Sequence, residues 1–452
     1  MVTDFNIFET ESLCPVCLKK ISAQRITTKG ESRIEKECPE HGKFSTPFWR
    51  GKPAIEEWSR PKNPSTPPVT ENSERKGCPF DCGLCEDHNQ HTCTTLIEIT
   101  WRCDLNCKVC FASAGTPVAP DPTIDELDKL LEKVRKTAGP CNLQLSGGEP
   151  AVRDDLPLIA NLAKKHGFPF VQVNTNGLRV AREHGLAKKW AEAGVDSAFL
   201  QFDGTRDDIY TAIRGRTLLE DKIRAIENLI AAGIGVVLVP TIVPDINDDN
   251  IGDILKLAVS YSPGVRGVHF QPVSYFGRYP EAPSDDMRIT LPEIMTAMEE
   301  QTHGMVHISD YAPPACEHSL CSFHGNYLVM EDGSLKKLSA KKEGCCSPQP
   351  ASEGADKSKA FVRRQWAAPQ TGSCGCKSDK PLDDLDKFIN RAKTHILALS
   401  GMAFQDAWTL DLERLKGCCI HVASPEGKLI PFCAYNLTAM NGSTLYRRTI
   451  DD

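Results

Sequence analysis

The chain has 452 residues, a net charge of −7, 40% hydrophobic and 25% charged residues. This allows a sizeable core and more than one domain. The acidic balance, without basic runs, argues against a nucleic-acid partner. The longest apolar run, 233–240, is strand-sized, so no transmembrane segment is expected. Met1 to Phe5 lack the charged and apolar regions of a secretory signal. The 20 cysteines are the outlier. They fall in short-spaced groups, which reads as metal ligation in a reducing, cytoplasmic and anaerobic setting rather than as disulfides.

Residues 1–51 hold Cys14-Pro-Val-Cys17 and Cys38-Pro-Glu-His41. Two such knuckles supply the four N/S ligands of a closed tetrahedral site for zinc, and a mononuclear iron suits the same thiolates. Residues 52–76 are rich in proline, serine and glutamate and read as an extended linker. In 77–93, Cys78, Cys82 and Cys85 are followed closely by Cys93. Four thiolates can close an auxiliary [4Fe–4S] cluster, structural or electron-relaying.

From Thr94 strands and helices alternate. Strands are expected at 94–100, 142–146, 170–174, 197–202, 234–242 and 268–271. Helices are expected from a capping box at Thr123-Ile-Asp-Glu126 to about Lys136, then at 154–166, 181–193 and 219–232. Six such units over 94–300 imply a parallel sheet with ligand residues beyond the strands' C-terminal ends. Residues 301–452 form a Cys-rich C-terminal region. There 341–380 read as mobile, 381–399 as a helix and 428–434 as strand-like. Cys316, Cys321, Cys419 and Cys433 suit either a further cluster or separate buried thiols. Cys345, Cys346, Cys374, Cys376 and Cys418 have no assigned role, and Cys141 reads as core.

Three motifs carry the chemistry. Cys103, Cys107 and Cys110 repeat the spacing C-x3-C-x2-C directly after the first strand, with no further cysteine for thirty residues. Three thiolates on a four-iron cluster leave one iron open to a ligand. The second strand runs into Gly147-Gly148-Glu149-Pro150, where the glycines allow the backbone to approach a ligand. The third runs into Asn174-Thr-Asn176 and the fourth into Gln201-Phe-Asp203. Singly these read as a zinc site, a tight turn and a loop cap. Their order along successive strand ends is far more specific.

This three-cysteine loop, GGEP and these polar strand ends resemble the radical S-adenosylmethionine (SAM) superfamily over roughly 94–300. The resemblance implies an α/β fold, a partial (β/α)6 TIM-like barrel, here with N-terminal knuckles and a Cys-rich C-terminal subdomain. It implies a catalytic [4Fe–4S] cluster on Cys103, Cys107 and Cys110, with SAM chelating the fourth iron. Gly147, Gly148 and Glu149 would meet the SAM ammonium, Asn174 and Asn176 its ribose or carboxylate, and Asp203 is a further cofactor-site candidate. The family usually has an aromatic residue before the third cysteine. Here it is Val109, which leaves Phe111 to cover the adenine. The implied reaction is reductive cleavage of SAM to a 5′-deoxyadenosyl radical and abstraction of hydrogen from an unactivated C–H bond, leading to C–C bond formation or methylation. A flavodoxin- or ferredoxin-type electron donor and a small-molecule or lipid-like substrate follow. CPVC, CPEHG and GCPFDCGLC before the catalytic loop resemble the subfamily of archaeal tetraether lipid synthase and the pterin-methylating enzymes, and its radical SAM (seleno)protein branch. A peptide or protein maturase, and an iron–sulfur electron carrier without SAM chemistry, are the alternatives.

Overall fold

The computed structural model describes residues 6–60, 62–70, 76–115, 119–338, 350–369 and 384–447. Four strands, β1 (Asn6–Leu13), β2 (Lys20–Thr28), β3 (Glu31–Cys38) and β4 (Gly42–Arg50), form an antiparallel meander. Lys29 and Gly30 have positive φ and close the β2–β3 hairpin. The β1–β2 and β3–β4 turns, which carry the two knuckles, therefore lie at the same end of the meander.

The second sheet contains β5 (Thr94–Thr100), β6 (Asn142–Gly147), β7 (Val171–Thr175), β8 (Ser197–Gln201), β9 (Gly235–Val239), β10 (Thr241–Ile242) and β11 (Val265–Pro272). It continues with β12 (Ser322–Val329), β13 (Leu335–Lys337), β14 (Ile396–Met402), β15 (Ile420–Ala423) and β16 (Leu429–Pro431). Its order is β13-β12-β14-β11-β9-β8-β7-β6-β5-β15-β16, with β10 paired to β11. From β15 through β5 to β9, β11 and β14 the neighbours are all parallel, and the antiparallel pairs are at the two margins. Strands from beyond residue 300 thus extend both edges of the expected six-stranded barrel.

Alternation along these strands sorts the side chains. Leu143, Leu145, Val171, Val173, Ala198 and Leu200 are buried in the apolar core with the helices. Gln144, Ser146, Asn174, Phe199 and Gln201 line an interior cavity instead. The capping box at Thr123 and Glu126 opens a helix over Ile124–Ala138. The expected helix over 181–193 is two short helices, Leu178–Arg182 and Leu186–Glu192, split at Gly185, whose φ is +81°.

Part of the expected mobile stretch is folded: Ala351–Trp366 is a helix. Its backbone accepts bonds from Asn142 Nδ2 (3.4 Å to Lys359 O) and Arg266 Nε (2.9 Å to Gln365 O). Gln365 Nε2 donates to the carbonyls of Arg266 and Ile396. Asn142, Arg266 and Ile396 lie at the starts of β6, β11 and β14, so this helix closes the N-terminal end of the barrel. The expected helix over 381–399 stops at Thr394 and gives way to β14. Cys345, Cys346, Cys374 and Cys376 lie outside the described residues.

Candidate active site

The loop after β5 carries Cys103, Cys107 and Cys110, all partly exposed and all lining a cavity of about 540 Å³. It is held from four sides. The first is the GGEP turn. Gly148 N donates to Thr100 O and Glu149 N to Arg102 O, both at 2.8 Å. A Cβ at Gly147, whose φ is +125°, would come within 2.2 Å of Thr100 O, and one at Gly148 within 2.2 Å of Arg102 O. The two glycines are thus required by close packing on the backbone that leads into Cys103. Their sequence signal, read as approach to a ligand, has this backbone contact as its first cause.

The second side is the end of β7, where Asn176 Nδ2 donates to Asp104 Oδ1 at 2.6 Å. The third is the segment after β11. Cys110 and Arg278 exchange backbone hydrogen bonds, and Arg278 donates to Cys107 O (2.9 Å) and Ala114 O (3.0 Å). Gly277 has φ +56°, and a Cβ there would meet Cys110 O at 2.6 Å. The fourth is Arg447, which is buried, pairs with Glu98 at 2.6 Å and reaches Ala112 O.

Glu149 is 1% exposed. Its carboxylate accepts from Thr175 Oγ1 (2.6 Å), Asn176 N (2.6 Å) and Ala151 N (2.9 Å). Burial pushes its pKa up to about 7 against the pull of these donors. The carboxylate lies along the cavity, yet its hydrogen bonds go to the ends of β6 and β7. Asn176 is similarly engaged, since its Oδ1 accepts from Leu178 N. Asn174 is different. It lines the cavity, and its buried Oδ1 has no hydrogen-bond partner.

Asp203 is fully buried and holds Arg214 by two bonds, 2.7 Å and 2.8 Å. Arg214 lines the cavity together with Cys107, whose thiolate would add to the charge that holds the guanidinium protonated. This Asp203–Arg214 pair was not visible in the sequence beyond Asp203 itself, because Arg214 ends a helix with no motif around it. Lys222, also buried and unmarked in the sequence, donates to Asn176 O and Gln201 Oε1. Burial pushes the Cys103 thiol up to about 12. A metal that takes this sulfur displaces a proton and supplies the charge that offsets burial.

Cys78, Cys82 and Cys85 are buried and do not line the cavity. The Cys82 thiol donates to Pro79 O at 3.2 Å, and Tyr446 OH accepts from Cys82 N at 2.8 Å while donating to Pro79 O. Cys93, expected as their fourth partner, instead donates its N–H to Cys419 O at 2.8 Å and packs with Cys316 and Cys419 in one buried cluster. In the meander the ligand atoms of Cys14, Cys17, Cys38 and His41 all lie within 4.8 Å of one another. Cys141 is fully buried core. Phe111, offered for adenine, is 37% exposed at the cavity and packs on Phe432. Among the described residues no helix is long and apolar enough to cross a membrane.

Known families and proteins resemble this chain. Residues 97–258 match the radical SAM superfamily model, and residues 7–50 match the HMPTM N-terminal zinc ribbon domain. A 7,8-dihydro-6-hydroxymethylpterin dimethyltransferase of Methanocaldococcus jannaschii is 34% identical over 98% of this chain and 95% of its own length. A GTP 3′,8-cyclase of Heliobacterium modesticaldum is 26% identical over 45% of this chain and 62% of its own. Among solved structures, native anSMEcpe with bound AdoMet aligns over 46% of this chain and 59% of its own, at 17% identity and a TM-score of 0.37. With its cysteine loop at the mouth of a parallel α/β barrel and a relative matched over nearly its whole length, this chain is an enzyme of the radical SAM superfamily, in the same family as the Methanocaldococcus protein.

Proposed function

We propose that this enzyme methylates, or otherwise forms a C–C bond on, a small pterin-type heterocycle. The observation that carries the reading is the wall of the cavity. Gln144, Gln201, Gln271, Asn326, Phe199 and Trp366 line it; the Gln201 amide is engaged by Asp203 and Lys222, whereas the buried Asn326 Oδ1 has no partner. Amide and aromatic side chains on one cavity wall suit a flat heterocycle with alternating donors and acceptors. The relative named a pterin dimethyltransferase supports the same class. A cavity of about 540 Å³ gives a heterocycle and SAM a common space.

Cys103, Cys107 and Cys110 would hold three irons of the [4Fe–4S] cluster that the family implies. The three thiols converge on the cavity mouth, and the orphaned Asn174 Oδ1 and the Arg214 guanidinium lie on the same wall, so the residues fit the cluster and SAM. When bound, the cluster supplies the low-potential electron that splits SAM into methionine and a 5′-deoxyadenosyl radical. The chain's own residues do the positioning. Arg214, fixed by Asp203, offers a cation to the SAM carboxylate. Asn174 Oδ1 offers an acceptor to its ammonium or ribose. Gly147 and Gly148 set the height of the cysteine loop, and Glu149 and Asn176 hold the β6 and β7 ends beneath it. The helix over Ala351–Trp366 closes the far end of the barrel and keeps bulk water out.

Cys78, Cys82 and Cys85 suit an auxiliary [4Fe–4S] cluster with electron-relay or structural duty. Cys14, Cys17, Cys38 and His41 suit a structural zinc, which the matched ribbon model supports. The electron source is a flavodoxin- or ferredoxin-type donor, and the setting is the reducing cytoplasm. Anaerobic incubation with SAM, dithionite and 7,8-dihydro-6-hydroxymethylpterin, read by mass spectrometry, tests the substrate. A methylated pterin formed with 5′-deoxyadenosine is expected, its methyl carbon coming from a second SAM that leaves as S-adenosylhomocysteine, with dithionite supplying both electrons. Release of 5′-deoxyadenosine with the pterin unmodified would overturn the substrate class.

A further inference from the structure

The cavity is lined from two unlike parts of the chain. Every residue assigned above to the catalytic cluster or to SAM falls within the superfamily match over 97–258. A further stretch of wall comes from β11, β14 and β12, which all lie beyond that match. The register puts His269 opposite Ser400, Ser400 opposite His324, and Ala398 opposite Asn326. Residues opposite one another share a face of the sheet, as do residues two apart on one strand. These five side chains therefore turn to one face, and all five line the cavity. His269 Nδ1 is 2.8 Å from Ser400 Oγ, which orients the ring. Phe199 and Trp366 pack against that ring, with centroids 5.4 Å and 6.0 Å away. The bond through Nδ1 is the imidazole's only hydrogen bond among the described residues, so Nε2 is left for a ligand.

Burial pushes the His269 pKa down to about 4 and that of His324 down as well. Near neutral pH both rings are uncharged, so each offers one N–H and one lone pair. The buried Asn326 Oδ1 accepts no bond. An acceptor left unpaired in a folded wall costs free energy until a donor meets it. Ala398, opposite Asn326, adds only a methyl group to this surface. The strip is thus polar, uncharged and flanked by rings. That suits a neutral planar heterocycle whose edge carries N–H, amino and carbonyl groups. A phosphate or carboxylate would call for a cation, and this strip presents none. We infer that the strip is the substrate subsite, with His269 Nε2 and the Asn326 amide binding the polar edge of the heterocycle and Ser400 fixing the imidazole. The inference rests on the pterin reading above and adds which side chains select the substrate. SAM is then held by the part of the chain inside the superfamily match, and the substrate by the part beyond it.

Anaerobic crystals of the full wild-type chain, loaded with iron and sulfide and grown with SAM and 7,8-dihydro-6-hydroxymethylpterin, test the assignment without a variant. A pterin with its edge within hydrogen-bond distance of His269 Nε2 and the Asn326 amide is expected. A pterin held elsewhere in the cavity overturns the assignment and leaves the substrate class standing. If the wild-type chain binds no pterin in anaerobic titrations with SAM present, the substrate class falls and the assignment falls with it. In solution, His269→Phe keeps a ring against Phe199 and Trp366 and removes both nitrogens, and Asn326→Leu removes the amide at similar size. Each should weaken pterin binding about tenfold to a hundredfold, while SAM affinity stays at the wild-type value. Unchanged pterin affinity in both folded variants overturns the assignment. So does an equal loss of SAM and pterin binding, which would mark the strip as merely structural.

Discussion

The two loops with the spacing C-x3-C-x2-C differ in everything but that spacing. Cys103, Cys107 and Cys110 sit at the C-terminal end of β5, are partly exposed and face the cavity. Cys78, Cys82 and Cys85 precede the barrel, are buried and do not line the cavity; Cys78 and Cys82 pack in one core cluster with Val273, Tyr275, Phe276 and Phe432, behind the cavity wall that Val273, Phe276 and Phe432 help to form. Adjacent residues near the C-terminus attend to both: Tyr446 bonds the first loop at Cys82 and Pro79, and Arg447 bonds the second at Ala112. Spacing therefore sets what a loop can ligate. Place in the fold sets whether a second molecule can reach the metal.

The largest effect expected from this contrast is on SAM cleavage. Replacing Cys103, Cys107 and Cys110 together by Ala should abolish 5′-deoxyadenosine release, while the same change at Cys78, Cys82 and Cys85 should leave release measurable per folded molecule. Chromatography of anaerobic, dithionite-reduced reactions reads both. Next comes Asp203→Ala, which strands the buried Arg214. Breaking such a pair costs about 3–5 kcal/mol, so the melting temperature should drop and SAM affinity should fall with it. The first loop's iron should be unaffected. Equal loss of iron from both loops would blur the distinction between them.

Tyr446→Phe makes the opposite selection. It leaves the part-buried Cys82 N–H and Pro79 carbonyl without their partner, a cost of about 1–3 kcal/mol. Iron bound by the first loop should become easier to chelate, with SAM binding at the second unchanged. Glu149→Gln is the mildest. An amide cannot accept from Thr175, Asn176 and Ala151 as a carboxylate does, so one N–H is left facing an NH2. SAM affinity should fall on the order of tenfold for a lost bond to a charged group. Glu149 also predicts a pH effect on the metal-free chain. Its folded pKa, about 7, lies above its ordinary value of 4.5. Between these values the folded chain keeps a proton that the unfolded chain has released. Stability from this group is therefore full below the lower value and is lost as pH rises to the upper one. Melting curves across that window should show the slope in the wild type and a shallower one in Glu149→Gln.

Much of the second loop's setting was legible in the sequence because it depends on local chemistry. Thr123 and Glu126 form the expected capping box, β5 to β8 lie within a residue or two of their expected places, and GGEP marks the turn beside Cys103. What escaped depends on distant pairing. The strand β14 reads like a continuation of the helix before it, and only its place between β11 and β12 gives it a partner on each side. The helix over Ala351–Trp366 begins polar, with two lysines ahead of its inward residues Phe361, Val362 and Trp366, which show their purpose only against the barrel. Proximity along the chain favoured Cys93 as the fourth thiolate of the first loop, whereas the β5–β15 register draws it to Cys419. Arg214 escaped because an arginine at a helix end carries no signal of what it faces.

The central claim is that access, and not spacing, makes the Cys103 loop the SAM-binding one. Electron paramagnetic resonance of the reduced, reconstituted chain, recorded with and without SAM in each triple-Ala variant, tests it most directly. The account predicts a signal that SAM shifts in the chain lacking Cys78, Cys82 and Cys85, and a signal that SAM leaves unchanged in the chain lacking Cys103, Cys107 and Cys110. A SAM-dependent shift in the latter would contradict it.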